Sequence, residues 1–247
     1  MPLSDYRTAL VTGASSGIGA ATVQALTRRG LQVHAIARRA ERLDALAAET
    51  GCTVHALDLC DTDALYRVIG GIDTDVLINN AGMGRGFDTL ANASREDIDR
   101  SIDTNVTAAL QVVRAVLPGM IERRRGHLVQ IGSIAGLYPL LSAVYGATKG
   151  AIHLLSQNLR TELTGTGIRH TEICPGRVHT EFFNTAIDDT ERRESLVQGF
   201  ELMQSEDIAD AIVYALDTPW RVNISTIEMT PTEQAPGGLI IEPVARD

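Results

Sequence analysis

The chain has 247 residues and 26.5 kDa, one large domain or two small ones by length, with 44% hydrophobic and 21% charged residues. That balance excludes disordered, collagen-like and disulfide-scaffold classes. With 22 Lys+Arg against 31 Asp+Glu the formal charge is −9, which repels polyanions and lacks the basic footprint of a nucleic-acid binder, so any anionic ligand needs a locally basic pocket. Cys52, Cys60 and Cys174 form neither a CxxC pair nor an even framework, which favours a reducing compartment and gives no metal site. The first residues carry no leader pattern and no apolar run approaches the ~18 residues of a membrane span, so a cytoplasmic location is expected.

Strand-like apolar runs alternate with helix-like periodic segments, the pattern of a single α/β domain with a parallel sheet covered by helices on both faces. Residues 8–12 read as the first strand, 18–29 as a helix closed at Gly30, 32–37 as the second strand, 41–49 as a helix closed by Gly51, and 53–57 as the third strand. A helix over 61–69 and a short buried strand over 75–79 follow. The stretch 94–124 reads as one long helix with Ser94 as N-cap, kinked or broken late by Pro118. Strand five covers 127–132, a long helix over 145–163 ends at Gly165 and Gly167, and strand six covers 169–174. From 177 to about 204 the pattern is irregular, as expected of a mobile segment beside a ligand site. A helix over 205–216 and a strand over 225–229 complete the sheet. The tail from Thr230, with Pro231, Pro236, Gly237 and Gly238, is expected to wrap over the body or a partner subunit.

Thr12-Gly13-Ala14-Ser15-Ser16-Gly17-Ile18-Gly19 stands where the first strand hands over to a helix. Backbone N–H groups and the positive helix terminus are free there to face a pyrophosphate, and the glycines let it approach. The spacing is G-x-x-x-G-x-G, not the common G-x-G-x-x-G. The same residues also match the G-x-S-x-G nucleophile elbow of α/β-hydrolases, but such an elbow follows several strands and needs a downstream acid and histidine that this chain does not supply in context. About twenty residues on, Ala37-Arg38-Arg39 offers two guanidinium forks and no carboxylate, which argues for a 2′-phosphate and hence NADP over NAD; two exposed arginines opening a helix are the plainer alternative.

Tyr145 and Lys149 are four apart in a helical segment, so the phenol and the ammonium share one face. A tyrosine near its reference pKa of ~10 is a poor base at neutral pH, and a nearby cation favours its phenolate. Ser133 ends strand five at the carboxyl edge of the sheet, where open α/β folds bind ligands.

Through Thr12–Gly19, Asn79-Asn80-Ala81-Gly82, Asn105, Ser133, Tyr145-x-x-x-Lys149 and Pro175-Gly176, the chain resembles the short-chain dehydrogenase/reductase family over essentially its whole length. Through Arg114–Met120, Val144–Lys149 and Asn158–Thr161 it resembles the branch of NADP-dependent 3-hydroxy acid (serine or allo-threonine) dehydrogenases. The resemblance implies a Rossmann-type single domain and a nicotinamide cofactor. It makes Tyr145 the general acid/base, Lys149 the group that lowers its pKa and holds the nicotinamide ribose, Ser133 a donor to the substrate oxygen, and Asn105 the residue that positions a water linking Lys149 to solvent. It places Gly13, Ser15, Ser16, Gly17, Ile18 and Gly19 at the phosphates, Arg38 and Arg39 at the 2′-phosphate, and Asp58 and Leu59 at the adenine. Asn80, Ala81 and Gly82 fall at the adenosine-side ribose, and Pro175, Gly176, Val178 and Thr180 at the nicotinamide end. Its relatives suggest a homotetramer built on the 94–124 and 145–163 helices.

The chain departs from its relatives at Cys174-Pro175-Gly176-Arg177, where Glu-Pro-Gly is common, and in a shorter loop running into Thr180-Glu181-Phe182. Arg177 is a candidate ligand for a substrate carboxylate or sulfonate. His127, His153 and His170 read as structural or surface groups without metal spacing, and His179 as a candidate pocket residue. Arg123-Arg124-Arg125 reads as a solvated helix end. The expected activity is NADP-dependent interconversion of a small secondary alcohol, of 3-hydroxy acid type, with its carbonyl. The alternatives are reduction of a sulfonated or phosphorylated aldehyde or a specialised-metabolism ketone, and a non-catalytic redox-sensing NADP-binding protein.

Overall fold

Thr8–Thr12 (β1) is an apolar run whose residues are nearly all buried, which only a strand covered on both faces can satisfy. In a computed structural model describing residues 2–85, 89–139, 142–186, 189–195, 198–235 and 241, it is a central strand of a seven-stranded parallel sheet. The elements run β1, α1 (Gly17–Thr27), β2 (Gln32–Ala37), α2 (Ala40–Thr50), β3 (Thr53–Ala56), α3 (Thr62–Ile69), β4 (Val76–Asn79), α4 (Arg95–Ile102), α5 (Ala109–Arg123), β5 (Gly126–Ile131), α6 (Ala143–Glu162) and β6 (Ile168–Pro175). Then come two short helices, α7 (Phe182–Ala186) and α8 (Thr190–Ser195), followed by α9 (Ser205–Leu216) and β7 (Thr226–Met229).

The strand order is β3-β2-β1-β4-β5-β6-β7. Because the side chains of a strand alternate, Val11, Ile78, Val129 and Ile173 bury on one face with α1 and α9, and Leu10, Leu77 and Leu128 on the other with α3, α5 and α6. The order reverses between β1 and β4, so the loops after these strands part at their carboxyl ends and leave a crevice.

The sequence placed these elements to within a few residues. Asp61 caps α3 by accepting from Ala64 N at 3.0 Å, and Ser94 caps α4 by accepting from Asp97 N at 3.0 Å. The long 94–124 segment differs from expectation. Pro118 lies inside α5 without ending it, exposed on the solvent side, where the carbonyl it cannot serve is open to water. The interruption falls earlier, at a π-helical stretch over Asp103–Ala108 that contains Asn105. In the 177–204 segment, expected to be irregular, the described residues include α7 and α8. Of the tail, Pro236, Gly237 and Gly238 lie outside the described residues. Gln234 before them is buried and accepts from Arg177 N at 3.0 Å, so this part of the tail packs on the body.

Candidate active site

The crevice is a cleft of about 830 Å³ that runs from the end of β2, over the turn after β1, to the start of α6. Although the protein is acidic, six cationic and two acidic side chains line it, the locally basic pocket that an anionic ligand requires. Gly13, Ser15, Ser16, Gly17 and Ile18 form its floor at the N-terminus of α1. Gly13 has φ +67, and a Cβ there would lie 2.8 Å from Asn80 Nδ2 and 2.9 Å from Ala81 Cα. Only glycine lets the β1 turn and the β4 end meet so closely. Gly19 does not line the cleft; it packs behind the turn, where a Cβ would strike the Gly13 carbonyl oxygen.

The loop after β4 is stitched to this turn. Thr12 Oγ1 accepts from Asn80 N and Ala81 N, each at 3.0 Å, and Asn80 Nδ2 donates to Thr12 O at 2.9 Å. Asn80 therefore spends its amide on the scaffold, and Asn80, Ala81 and Gly82 border the cleft beside Asp58 and Leu59.

At the β2 end, Arg38 and Arg39 are exposed and line the cleft. Arg39 donates from Nε to Ser15 Oγ at 3.1 Å and from Nη2 to Ser16 Oγ at 2.7 Å. Its Nη1 meets Glu181 Oε2 at 2.8 Å, and Arg42 Nη1 meets Glu181 Oε1 at 2.7 Å. Arg39 and Arg42 together hold the Glu181 carboxyl below the usual carboxylate range. The sequence reading missed Arg42 and Glu181. Arg42 stands one helical turn after Arg39, a signal open to view, whereas nothing local announces that Glu181 reaches across 142 residues of sequence.

At the other end, Tyr145 and Lys149 are buried in α6, at 8% and 7% exposure, and both line the cleft. The Ser133 hydroxyl hydrogen-bonds the phenol, and Ser133 Oγ also accepts from Ala135 N at 3.1 Å, which fixes its rotamer. Lys149 Nζ lies 5.9 Å from the Tyr145 ring centroid and donates to Ile131 O at 2.9 Å. Burial pushes the phenol up to about 12 against the Ser133 hydrogen bond, and burial pulls Lys149 down to about 8. The expected lowering of the phenol by Lys149 is not seen in this structure, where Ser133 alone opposes the effect of burial. Both groups are desolvated, and the ammonium is turned to a main-chain carbonyl.

Asn105 stands behind the cleft wall and does not line it. Its Oδ1 accepts from Met83 N at 2.8 Å, and its Nδ2 donates to Met83 O at 2.8 Å and to Thr148 Oγ1 at 3.1 Å. The side chain is committed to the loop after β4 and to α6, which leaves only its main chain for the expected water contact.

Pro175, Gly176, Val178 and Thr180 line the cleft after β6, and Phe182 of α7 roofs it, with its ring 5.2 Å from that of Tyr145. Arg177 lines the same end with its guanidinium 5.4 Å from the Phe200 centroid; burial lowers it from its usual value. His179 is exposed and is not part of the lining, a correction to its reading as a pocket residue. Its place is set by the main chain, His179 N donating to Met203 O at 2.8 Å, while its neighbours Val178 and Thr180 face inward. Of the histidines read as structural or surface groups, His127 and His170 are buried, and His153 belongs to a polar cluster with Glu172 and Cys174, whose ligand-type atoms lie within 4.8 Å of one another.

A dinucleotide fits these residues. The helix N-terminus and serine hydroxyls face the middle of the cleft, a guanidinium cluster stands at one end, and a phenol, hydroxyl and ammonium stand at the other. Known proteins bear on the same point. A short-chain type dehydrogenase/reductase of Sinorhizobium fredii, itself uncharacterized, is 42% identical over 246 residues, 99% of each chain. The NADP-dependent 3-hydroxy acid dehydrogenase of Salmonella typhi is 40% identical over 242 residues, 94% of this chain and 98% of that one. A solved serine dehydrogenase, a closed form complexed with NADP+, has a TM-score of 0.90 at 38% identity, covering 96% of this chain and 100% of that chain. Residues 7–191 match the short chain dehydrogenase family; with this cleft at the carboxyl ends of its strands, the chain belongs to that family.

Proposed function

We propose that the chain is an NADP-dependent oxidoreductase that interconverts a small secondary alcohol of the 3-hydroxy acid type with its carbonyl. The observation that carries the reading is the buried Tyr145 and Lys149 on one face of α6, with Ser133 on the phenol, at one end of a cleft whose other end is a guanidinium cluster. The Salmonella typhi relative, named for NADP and 3-hydroxy acids, and the serine dehydrogenase complexed with NADP+ support the cofactor and the substrate class.

When bound, the nicotinamide gives or takes the hydride. Tyr145 holds the proton at Oη, giving it to the carbonyl oxygen on reduction and taking the alcohol proton on oxidation. Ser133 donates to the same oxygen as charge develops there. Lys149, down to about 8 yet mostly charged at neutral pH, favours the phenolate that oxidation needs. Gly13, Ser15, Ser16, Gly17 and Ile18 would hold the phosphates, Arg38, Arg39 and Arg42 the 2′-phosphate, and Asp58 and Leu59 the base. Asn80, Ala81 and Gly82 would hold the adjacent ribose, and Pro175, Gly176, Val178 and Thr180 the nicotinamide end. Gly19 and Asn105 act from behind, by packing the turn and by anchoring the Met83 loop.

Arg177 binds the substrate carboxylate: it lines the same cleft as Tyr145, half-buried beside the Phe200 ring, where less water screens its charge. Assembly is a homotetramer, supported by the exposed Leu110 and Ile121 on α5 and Leu154 on α6. A cytoplasmic setting is supported by three free cysteines, and among the described residues no helix is long and apolar enough to cross a membrane. Rates with short hydroxy acids, hydroxysulfonates and neutral alcohols, each with NADP and with NAD, test the reading. Highest kcat/KM is expected for a 3-hydroxy acid with NADP. A preference for neutral alcohols that Arg177→Ala leaves unchanged would refute the substrate class.

A further inference from the structure

Tyr145, Lys149, His153 and Gln157 follow one another at four-residue spacing, so they form a single stripe down α6. Below the catalytic pair this stripe meets Glu172. Glu172 and Cys174, two apart on β6, share the face of that strand turned toward α6. Glu172 is a charged residue in the middle of a strand whose every residue is buried, and it is itself 1% exposed. His153 Nδ1–H donates to Glu172 Oε2 at 2.7 Å, and the Gln157 amide donates to His153 Nε2 at 2.9 Å. A carboxylate oxygen can only accept, so the ring proton on Nδ1 faces Glu172 and the two bonds tether the carboxylate to α6. Glu172 Oε1 lies against Gly132 and, among the described residues, has no hydrogen-bond partner. Ile131, the residue before Gly132, supplies the carbonyl that accepts from Lys149 Nζ. A buried carboxylate oxygen thus stands against Gly132, one residue along β5 from the Ile131 carbonyl that takes up the buried ammonium; the two charges do not touch, but each lies in the other's field with little water between to screen it.

We propose, building on the oxidoreductase reading, that Glu172 is the buried counter-ion of Lys149, a positioning residue held in place by His153 and Gln157. Among the described residues, the groups that favour the charged form of Lys149 are Cys174 and Glu172. Burial and the neighbouring Glu172, through its charge and a hydrogen bond, push the Cys174 thiol far up, so Cys174 is neutral and Glu172 is the carboxylate left to act on Lys149. The other titratable groups around the pair are Tyr145 and His153 on α6 and, toward the outside, Tyr138, which donates to Glu228 of β7 at 3.0 Å. Glu172 touches neither the substrate nor the cofactor end of the cleft. It acts by keeping Lys149 protonated and so keeping the field at Tyr145 positive.

Lys149 is the sole lysine among the 247 residues, so protein labelled with 13Cε-lysine gives one side-chain signal that reports this ammonium directly. Its pH titration, without cofactor or substrate, is compared for wild type, Glu172→Gln and Glu172→Asp. The expected result is a midpoint about one pH unit lower in Glu172→Gln and close to wild type in Glu172→Asp. An unmoved midpoint in Glu172→Gln, or an Asp variant displaced as far as the Gln variant, overturns the proposal. Should Gln not fold, Glu172→Asn read against Glu172→Asp makes the same comparison at equal size. In carbonyl reduction the alkaline limb of kcat/KM moves with the NMR midpoint. If no carbonyl substrate is turned over while the midpoint still shifts, the oxidoreductase reading falls and the counter-ion stands; activity with an unmoved midpoint removes the counter-ion and leaves the oxidoreductase reading in place.

Discussion

Replacing Glu181 by glutamine removes one negative charge from the guanidinium cluster while preserving side-chain length. Its carboxylate is 2.8 Å from Arg39 Nη1 and 2.7 Å from Arg42 Nη1, and the three side chains are 41–46% exposed. At such exposure the pairs are worth only ~0–1 kcal/mol each, so the substitution leaves stability nearly unchanged. Its larger effect is on an incoming anion. Two unit charges 4 Å apart in water interact by ~1 kcal/mol. A 2′-phosphate of about two negative charges, roughly twice as far from Glu181, is therefore opposed by about 1 kcal/mol before salt screening. Glu181→Gln is expected to tighten NADPH about two- to fivefold at low salt and to leave NADH unchanged, with most of the gain lost near 0.3 M salt. Fluorescence titration of both reduced nucleotides at two salt concentrations measures this. Weaker NADPH binding, or equal changes for the two nucleotides, would refute the argument: the carboxylate would then be a clamp and not a competitor.

Tyr145→Phe keeps the ring that packs at 5.2 Å on Phe182 and deletes the proposed proton donor, so kcat should fall by about 10²–10⁴ with cofactor affinity retained; steady-state rates beside NADPH titration check it. Gly13→Ala puts a Cβ 2.8 Å from Asn80 Nδ2 at φ +67, and left-handed strain plus overpacking together cost about 2–4 kcal/mol. At this chain length that lowers Tm by about 5–12 °C, and an unchanged melting curve would count against the close approach. Burial holds His170 down at about 4 and His127 well below its usual value, both with folded values under the unfolded 6.5. Below pH ~6.5 the unfolded chain binds protons that the folded one refuses, so stability falls as pH drops toward 4. Urea midpoints across that range should show His170→Asn losing up to about 1.4 kcal/mol per pH unit of slope; an unaltered slope would show that His170 takes up its proton in the folded state.

The elements and most of the cleft were legible in the sequence because the information is local. Period-2 and period-3.6 patterns, Gly30 and Gly51 at helix ends, and Asp61 and Ser94 as caps each act within a few residues. The turn from Thr12 to Gly19 and the Tyr145–Lys149 spacing belong to the same kind of signal. Pro118 shows its limit. Whether a proline breaks a helix depends on which side of α5 meets water, a matter of packing that the residue type does not carry.

Arg42 and Glu181, 139 residues apart, met only when the segment after β6 folded back over α2. Glu172 and His153 met only when β6 docked beneath α6. Asn105, expected to position a water linking Lys149 to solvent, has its side chain taken up by Met83 of the loop after β4 and by Thr148. Local pattern thus determined the sheet, its helices and the residue types offered at the crevice. Tertiary packing alone decided which charges lost water together, and desolvation sets their protonation: it moved Tyr145 up to about 12 and Lys149 down to about 8, away from the values each residue type has in solution.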